Sequence, residues 1–176
     1  AYAGGCNFLA AGKAGDTGSS RAWNAREYRS ADGNVTIIKP NGNGFEQASW
    51  ATKCIDRTGT AVSTARLGSH TESQVRITGG AANRSGSELT VQWRGSFTVA
   101  FYGGLTYWTA TDPVLKVDGS GKGTITATAS GYGASMTDAS KWMQLAERTI
   151  TLANLTGVDT SGDVITTTPD YVGVSC

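Results

Sequence analysis

The chain has 176 residues and a net charge of +1, with 16% charged residues; it suits one domain with a real core and is a poor match for nucleic acid as a main partner. A single histidine excludes a multi-histidine metal site, and no apolar run approaches the ~20 residues of a membrane helix. With 24 glycines, only 3 prolines, many threonines and apolar residues spread throughout, disorder is not expected.

The first residues, Ala1-Tyr-Ala-Gly-Gly, are small ones of the sort found just after a signal-peptidase cut. They predict a mature secreted or cell-surface chain, a trimmed N-terminus being the other reading. Residues 1–34 are the least strand-like part, and Cys6–Ala11 and Ser20–Tyr28 read as short helical turns. Asp32-Gly33-Asn34 is a turn signal ahead of a strand at Val35–Lys39. Pro40–Gly44 is a loop, Gln47–Cys54 reads as a strand carrying Trp50 inward, and Asp56–Gly59 turns again.

The middle of the chain carries the clearest signal. Leu89, Val91 and Trp93 alternate with Thr90, Gln92 and Arg94; after Gly95 and Ser96, Phe97, Val99 and Phe101 continue the alternation. Period two over this length predicts a long strand with one apolar face, and Gly95 marks a bend or a close approach. Gly103-Gly104 is a turn and Leu105–Thr109 returns, so 88–109 is predicted as a β-hairpin. Val114–Val117 and Thr124–Ala129 form a second hairpin around Asp118–Gly123. Asp138–Ala146 is the best helix candidate, with Thr137 or Asp138 as its cap. Thr149–Ala153 and Val164–Thr168 are two further strands. The sum is one domain over 1–176, an all-β antiparallel sandwich of eight or nine strands with one or two short helices.

The cysteines are Cys6, Cys54 and Cys176, with no C-x-x-C pair of the zinc or thioredoxin kind. In an oxidising compartment Cys6–Cys54 is the natural bridge, which leaves Cys176 as a thiol for another chain. Pairing of Cys176 instead, or a natural protein that continues past it, are the alternatives.

Gly119-Ser-Gly-Lys-Gly-Thr124 imitates the end of a phosphate-binding loop. Such a loop needs a helix directly after the lysine, whereas Thr124-Ile-Thr-Ala-Thr-Ala alternates as a strand; the segment is expected to be a hairpin turn. His70 lies in a polar loop without a nucleophile elbow and reads as a surface histidine. The 14 carboxylates include no clustered pair of glycosidase type, and Asp112 before Pro113 is expected to shape a turn. No enzyme, metal or cofactor is expected on these grounds. Tyr102, Tyr107 and Trp108 are the candidate ligand-binding residues. Neighbours along a strand point to opposite faces, so one of Tyr107 and Trp108 is expected in the core and the other outside, where it could stack on a sugar, a haem or a neighbouring subunit.

The stretch from Val91 to Thr124, within residues 75–130, resembles the core of the HtaA domain, a family of secreted or surface-attached actinobacterial proteins. It shares a strand, a glycine turn, a return strand, an Asp-Pro corner, a further strand and a second glycine turn. The resemblance implies a β-sandwich with small helical additions, and several members of the family bind and relay haem. Haem-binding members carry a histidine in the turn after the first strand, and a tyrosine ligand on an aromatic-rich helical motif ahead of the core. Here that turn is Phe101-Tyr-Gly-Gly104, so the ligands do not carry over, and Tyr102 is the position where a haem contact would be sought.

The resulting expectation is a non-enzymatic extracellular protein, either a structural or filament-forming building block or a binding module, that self-associates or contacts cell-surface components. A haem-binding protein of HtaA type and a carbohydrate-binding module are the alternatives.

Overall fold

The alternating middle of the chain builds the centre of a seven-stranded antiparallel sheet. The structure, a computed structural model, describes residues 6–63, 65–135, 137–138 and 140–170. Its strands are β1 (Phe8–Ala11), β2 (Ala31–Asp32), β3 (Val35–Pro40), β4 (Phe45–Gln47), β5 (Gln74–Ile77), β6 (Ala81–Ser85), β7 (Glu88–Gln92), β8 (Ser96–Phe101), β9 (Thr106–Val117), β10 (Gly123–Ala134) and β11 (Trp142–Leu155). The large sheet runs β1-β8-β9-β10-β11, with β7 also on β9 and β6 on β7; the small sheet runs β2-β3-β4, with β5 on β3. The two sheets pack through Ala11, Leu9 and Phe97 on one side and Val35, Ile37, Val75 and Ile77 on the other, giving the expected all-β sandwich.

Several local expectations are corrected. Among the described residues the strands number eleven rather than eight or nine, and none of these residues is helical. The helix expected over Asp138–Ala146 does not form among the described residues, and Trp142–Ala146 is strand. The Asp138 carboxylate accepts from the Ser140 N–H and hydroxyl at 3.1 and 2.6 Å, which closes a turn. From Trp142 onward the chain then pairs with β10 in the register Ala134↔Trp142, Gly133↔Met143, Gly131↔Leu145. Cross-strand hydrogen bonds and the stack of Trp142 on Tyr132, centroids 6.1 Å apart, outweigh the high helix propensity of Met, Gln, Leu and Ala, which is worth only tenths of a kcal/mol per residue. Cys6–Ala11 gives β1 instead of a helical turn, and Ser20–Tyr28 gives only a turn, closed by Glu27 N–H to Asn24 O at 3.1 Å. After β4 the chain turns at Ser49–Lys53, where Ser49 and Thr52 exchange backbone-to-hydroxyl hydrogen bonds at 3.0 and 3.1 Å. Val164–Thr168 is not a strand, although Ile165 packs on the core cluster of Leu89, Leu115, Val117, Leu155 and Val158.

The period-two run 89–101 forms two strands with one partner. β8 pairs with Thr106–Thr111 of β9 and β7 with Val114–Val117. Between them Asp112 and Pro113 together oppose Ala127 of β10, a β-bulge. The bulge is where β9 changes edge partner, so the missing N–H of Pro113 leaves no gap in the ladder. Asp112 has φ +51°; its carboxylate accepts from the Gly95 N–H at 2.9 Å and from Arg94 at 3.0 Å. Asp118–Lys122 is the expected hairpin turn, with Asp118 N–H to Lys122 O at 2.8 Å.

β1 is enclosed on both faces. Leu9 and Ala11 look toward the small sheet. Phe8 and Ala10 join Trp23, Tyr28, Ala100 and Tyr107 in an aromatic cluster, with Trp23 edge-on to both Phe8 and Tyr107 at 5.5 and 5.0 Å. The Cys6–Cys54 disulfide, Cα–Cα 5.8 Å, ties the start of β1 to the Ser49–Lys53 turn. Lys53 Nζ lies over the Trp50 ring, 3.4 Å from its centroid, and burial lowers its pKa. Cys176 lies outside the described residues.

Candidate functional site

The large sheet has one filled face and one that is covered only in part. The chain 13–28 lies over the filled face. There the Tyr107 hydroxyl donates to Gly15 O at 2.7 Å and accepts from the Thr17 N–H at 3.0 Å. Tyr107 is 1% exposed, and burial is the main cause of its raised pKa. It is thus a core residue that anchors the overlying segment, not a surface contact.

Trp108 points to the opposite face, as parity requires. Residues in direct cross-strand register share a face, so Leu9, Val99, Trp108, Gly131 and Leu145 form one row across all five main strands. Phe101, Thr106, Gly133 and Met143 lie in the next row. The small sheet covers the β1 end of this face near Phe97 and Ala11. Toward β11 the apolar side chains are open, with Met143 46% and Leu145 43% exposed, and Trp108 is half-buried.

The glycines on this face have a physical reason. A Cβ on Gly131 would run into the Tyr107 carbonyl and stand 2.8 Å from Trp108 Cα, and one on Gly133 would meet Thr106 Oγ1 at 2.9 Å. β10 therefore carries no side chain at these two positions, where β9 approaches closely. Above it runs a groove of about 460 Å³ between Trp108 on β9 and Leu145, Arg148 and Ile150 on β11.

A bulge in β11 sets which side chains line that groove. Gly131 pairs with Leu145 and Ala129 with Arg148, so Ala146 and Glu147 together oppose Ser130. The extra residue puts Leu145 and Arg148 on the same face, although strict alternation over three residues would separate them. Glu147 pairs with Lys13 at 2.6 Å, whereas the Arg148 guanidinium has no ion pair or hydrogen bond among the described residues.

Tyr102 sits apart from both Tyr107 and the groove. It occupies the turn between β8 and β9 at φ +53° and is 55% exposed. Its N–H donates to Asn7 Oδ1 at 2.9 Å, and its ring centroid lies 6.5 Å from that of Phe101. The next peptide links this turn to the disulfide and to the aromatic cluster, through Gly103 N–H to Cys6 O at 3.1 Å and Trp23 N–H to Gly103 O at 2.9 Å. The three candidate aromatics therefore form no single platform. Only Trp108 lines the groove. Its partners Leu145, Arg148 and Ile150 fall partly in the stretch whose sequence reads as a helix, and the alternation of Thr149–Ala153 is the one local signal for them.

His70 is exposed in its loop, as expected. Among the described residues no group of three or more His, Cys, Asp or Glu side chains is placed to hold a metal ion, and no helix is long and apolar enough to cross a membrane. No family model, no curated protein and no solved structure matches this chain.

Proposed function

We propose that this chain is a non-enzymatic extracellular or cell-surface module that works by contact, through the open half of the large sheet. The observation that carries this reading is the open end of the row, Trp108–Gly131–Leu145, with Met143 beside it, where Leu145 and Met143 are exposed. Contiguous apolar side chains left in water mark interaction surfaces. The Cys6–Cys54 bridge fits an oxidising compartment. In the building-block form of this reading a second copy covers the same face or adds to β11, which pairs only with β10 among the described strands; a strand edge of 14 residues is a template for another chain.

The test joins two measurements. Titration with the neutral apolar dye Nile red is expected to saturate, and Leu145→Glu is expected to abolish the signal without lowering thermal stability. Sedimentation velocity across a wide concentration range, with electron microscopy of native material, reads self-association. A chain that neither binds the dye nor associates overturns the reading.

Haem capture is the second reading, and the place of Tyr102 favours it: the ring is exposed beside Phe101 at the end of the apolar face. Tyr28 is a poorer ligand, because burial pushes its hydroxyl up to about 12 and haem iron takes tyrosine as phenolate. A haemin titration is expected to give a Soret band that Tyr102→Phe removes; a flat titration rules this reading out. A carbohydrate platform has less support, since the side chains around Trp108 offer a sugar few hydrogen-bond partners.

A further inference from the structure

We propose that the groove beside Trp108 is a binding site for a long-chain carboxylate, with the acyl chain along β10 and the carboxylate on Arg148. The inference rests on the reading of this face as a contact surface and names the chemistry of its ligand.

Three observations carry it. The groove holds about 460 Å³, within the range of small-ligand sites, and its walls are the apolar side chains of Trp108, Leu145 and Ile150. Arg148 is the one charged residue among those lining the groove, and its guanidinium has no ion pair or hydrogen bond among the described residues. Ser130 lines the groove only from below, since it pairs with the buried Thr109 and its side chain belongs to the opposite, filled face. A ligand that fits these walls is apolar along its length and carries one anionic end. A guanidinium takes a carboxylate in a bidentate, charge-assisted pair.

The bulge strengthens the case. Without the extra residue at Ala146–Glu147, a strand carrying Leu145 on this face would turn Arg148 to the other one. The bulge instead brings the cation to the rim of an apolar groove, while Glu147 next to it is engaged by Lys13 and does not neutralise it. Bulges that re-aim a side chain recur at functional positions.

The experiment is displacement of Nile red from the purified chain by dodecanoate below its micellar range, set against dodecanoate methyl ester, which has the same chain and no charge. The wild type is expected to bind the acid about tenfold more tightly than the ester. Arg148→Gln is expected to erase that preference while leaving the ester and the dye unchanged; Arg148→Lys retains part of it, which separates charge from fold. The proposal is overturned if acid and ester bind alike, if Arg148→Gln weakens both equally, if dodecanoate displaces no dye, or if the chain binds only anionic vesicles and not the monomeric acid. Dye binding without an acid preference sinks the ligand class and leaves the contact surface standing; a wild type that binds no dye sinks the ligand class, and sinks the contact surface as well only if the chain also fails to self-associate.

Discussion

Thr98 and Thr109 face each other across β8 and β9 with their hydroxyl oxygens 2.8 Å apart, and both side chains are buried. Thr98 Oγ1 also lies 2.8 Å from Gly12 O, to which it donates, and the Ala14 N–H points at both hydroxyls, at 3.2 and 3.4 Å. Two threonines on a buried sheet face thus satisfy the backbone where the chain leaves β1 and crosses over the sheet.

Thr98→Val keeps the shape and removes the donor to Gly12 O. A buried polar group left without its partner costs about 1–3 kcal/mol. The expected result is a lower denaturation midpoint with an unchanged m-value. Thr109→Val is expected to cost less, because the Ala14 N–H keeps the shorter contact to Thr98. Equal losses in the two variants would assign the stability to the hydroxyl pair alone and not to the crossing backbone.

Reduction of Cys6–Cys54 is expected to cost about 3–4 kcal/mol on the chain-entropy model for a loop of this length. The bridge spans a sequence separation of 48 and joins β1, an edge strand, to the turn that places Trp50 and Lys53 against Phe8. Denaturation with and without reductant reads the total. Hydrogen exchange locates it: the β1 amides are expected to lose protection first, while the β9–β10 ladder keeps its own. Uniform loss of protection across both would place the bridge's effect in the unfolded chain alone.

Gly95→Ala tests the junction of the two sheets. Gly95 has φ +123°, and a Cβ there would stand 2.7 Å from Val35 Cγ2 and 3.0 Å from Asn34 Oδ1. Val35 is 0% exposed at the centre of the inter-sheet cluster, so it has no room to yield. Backbone strain of about 1–3 kcal/mol adds to overpacking of similar size, and a loss of about 2–6 kcal/mol in chemical denaturation is expected. Gly15→Ala, where a Cβ meets nothing within 4 Å, is the control and is expected to be near neutral.

Gly95 also shows what a sequence can disclose. A glycine inside an apolar alternation announces a bend or a close approach, and both occur, because β7 and β8 part company there against the same strand. The β9–β10 hairpin was equally legible, since β-branched alternation and the Asp118–Gly123 turn residues agree with one another. The opposition of Tyr107 and Trp108 follows from parity alone. β11 was not legible over Asp138–Ala146. Met143, Gln144, Leu145 and Ala146 favour a helix by only tenths of a kcal/mol each, and the decision lies with β10, whose edge pairs with them in the register Ala134↔Trp142 to Gly131↔Leu145; that is a non-local term. The groove was hidden for the same reason, because the shared face of Leu145 and Arg148 depends on a bulge defined only by the register with Ser130. The second sheet was half visible: Val35–Lys39 announces itself, whereas β5 is a short strand whose partner lies far back in the chain.

Tyr28 gives the pH dependence. Its hydroxyl is buried without a hydrogen-bond partner among the described residues, and desolvation raises its pKa from 10.0 to about 12. A group whose folded pKa lies above the unfolded value contributes stability that is complete below the unfolded pKa and is lost as pH rises through the folded one. Stability is therefore expected to hold up to about pH 10 and to fall between about pH 10 and 12, as the unfolded chain ionises while the folded one resists. Tyr28→Phe removes both the ionisation and the orphaned hydroxyl while keeping the ring against Phe8, 5.9 Å away, and Trp50, 6.0 Å away. It is expected to be neutral or stabilising by up to about 1 kcal/mol near neutral pH and to flatten the alkaline limb. Denaturation midpoints across the alkaline range, with tyrosinate absorbance followed in parallel, check both effects. A variant that is destabilised at neutral pH would mean that the Tyr28 hydroxyl is satisfied in solution, by an ordered water within the aromatic cluster, and the alkaline limb would then keep its slope through Tyr107.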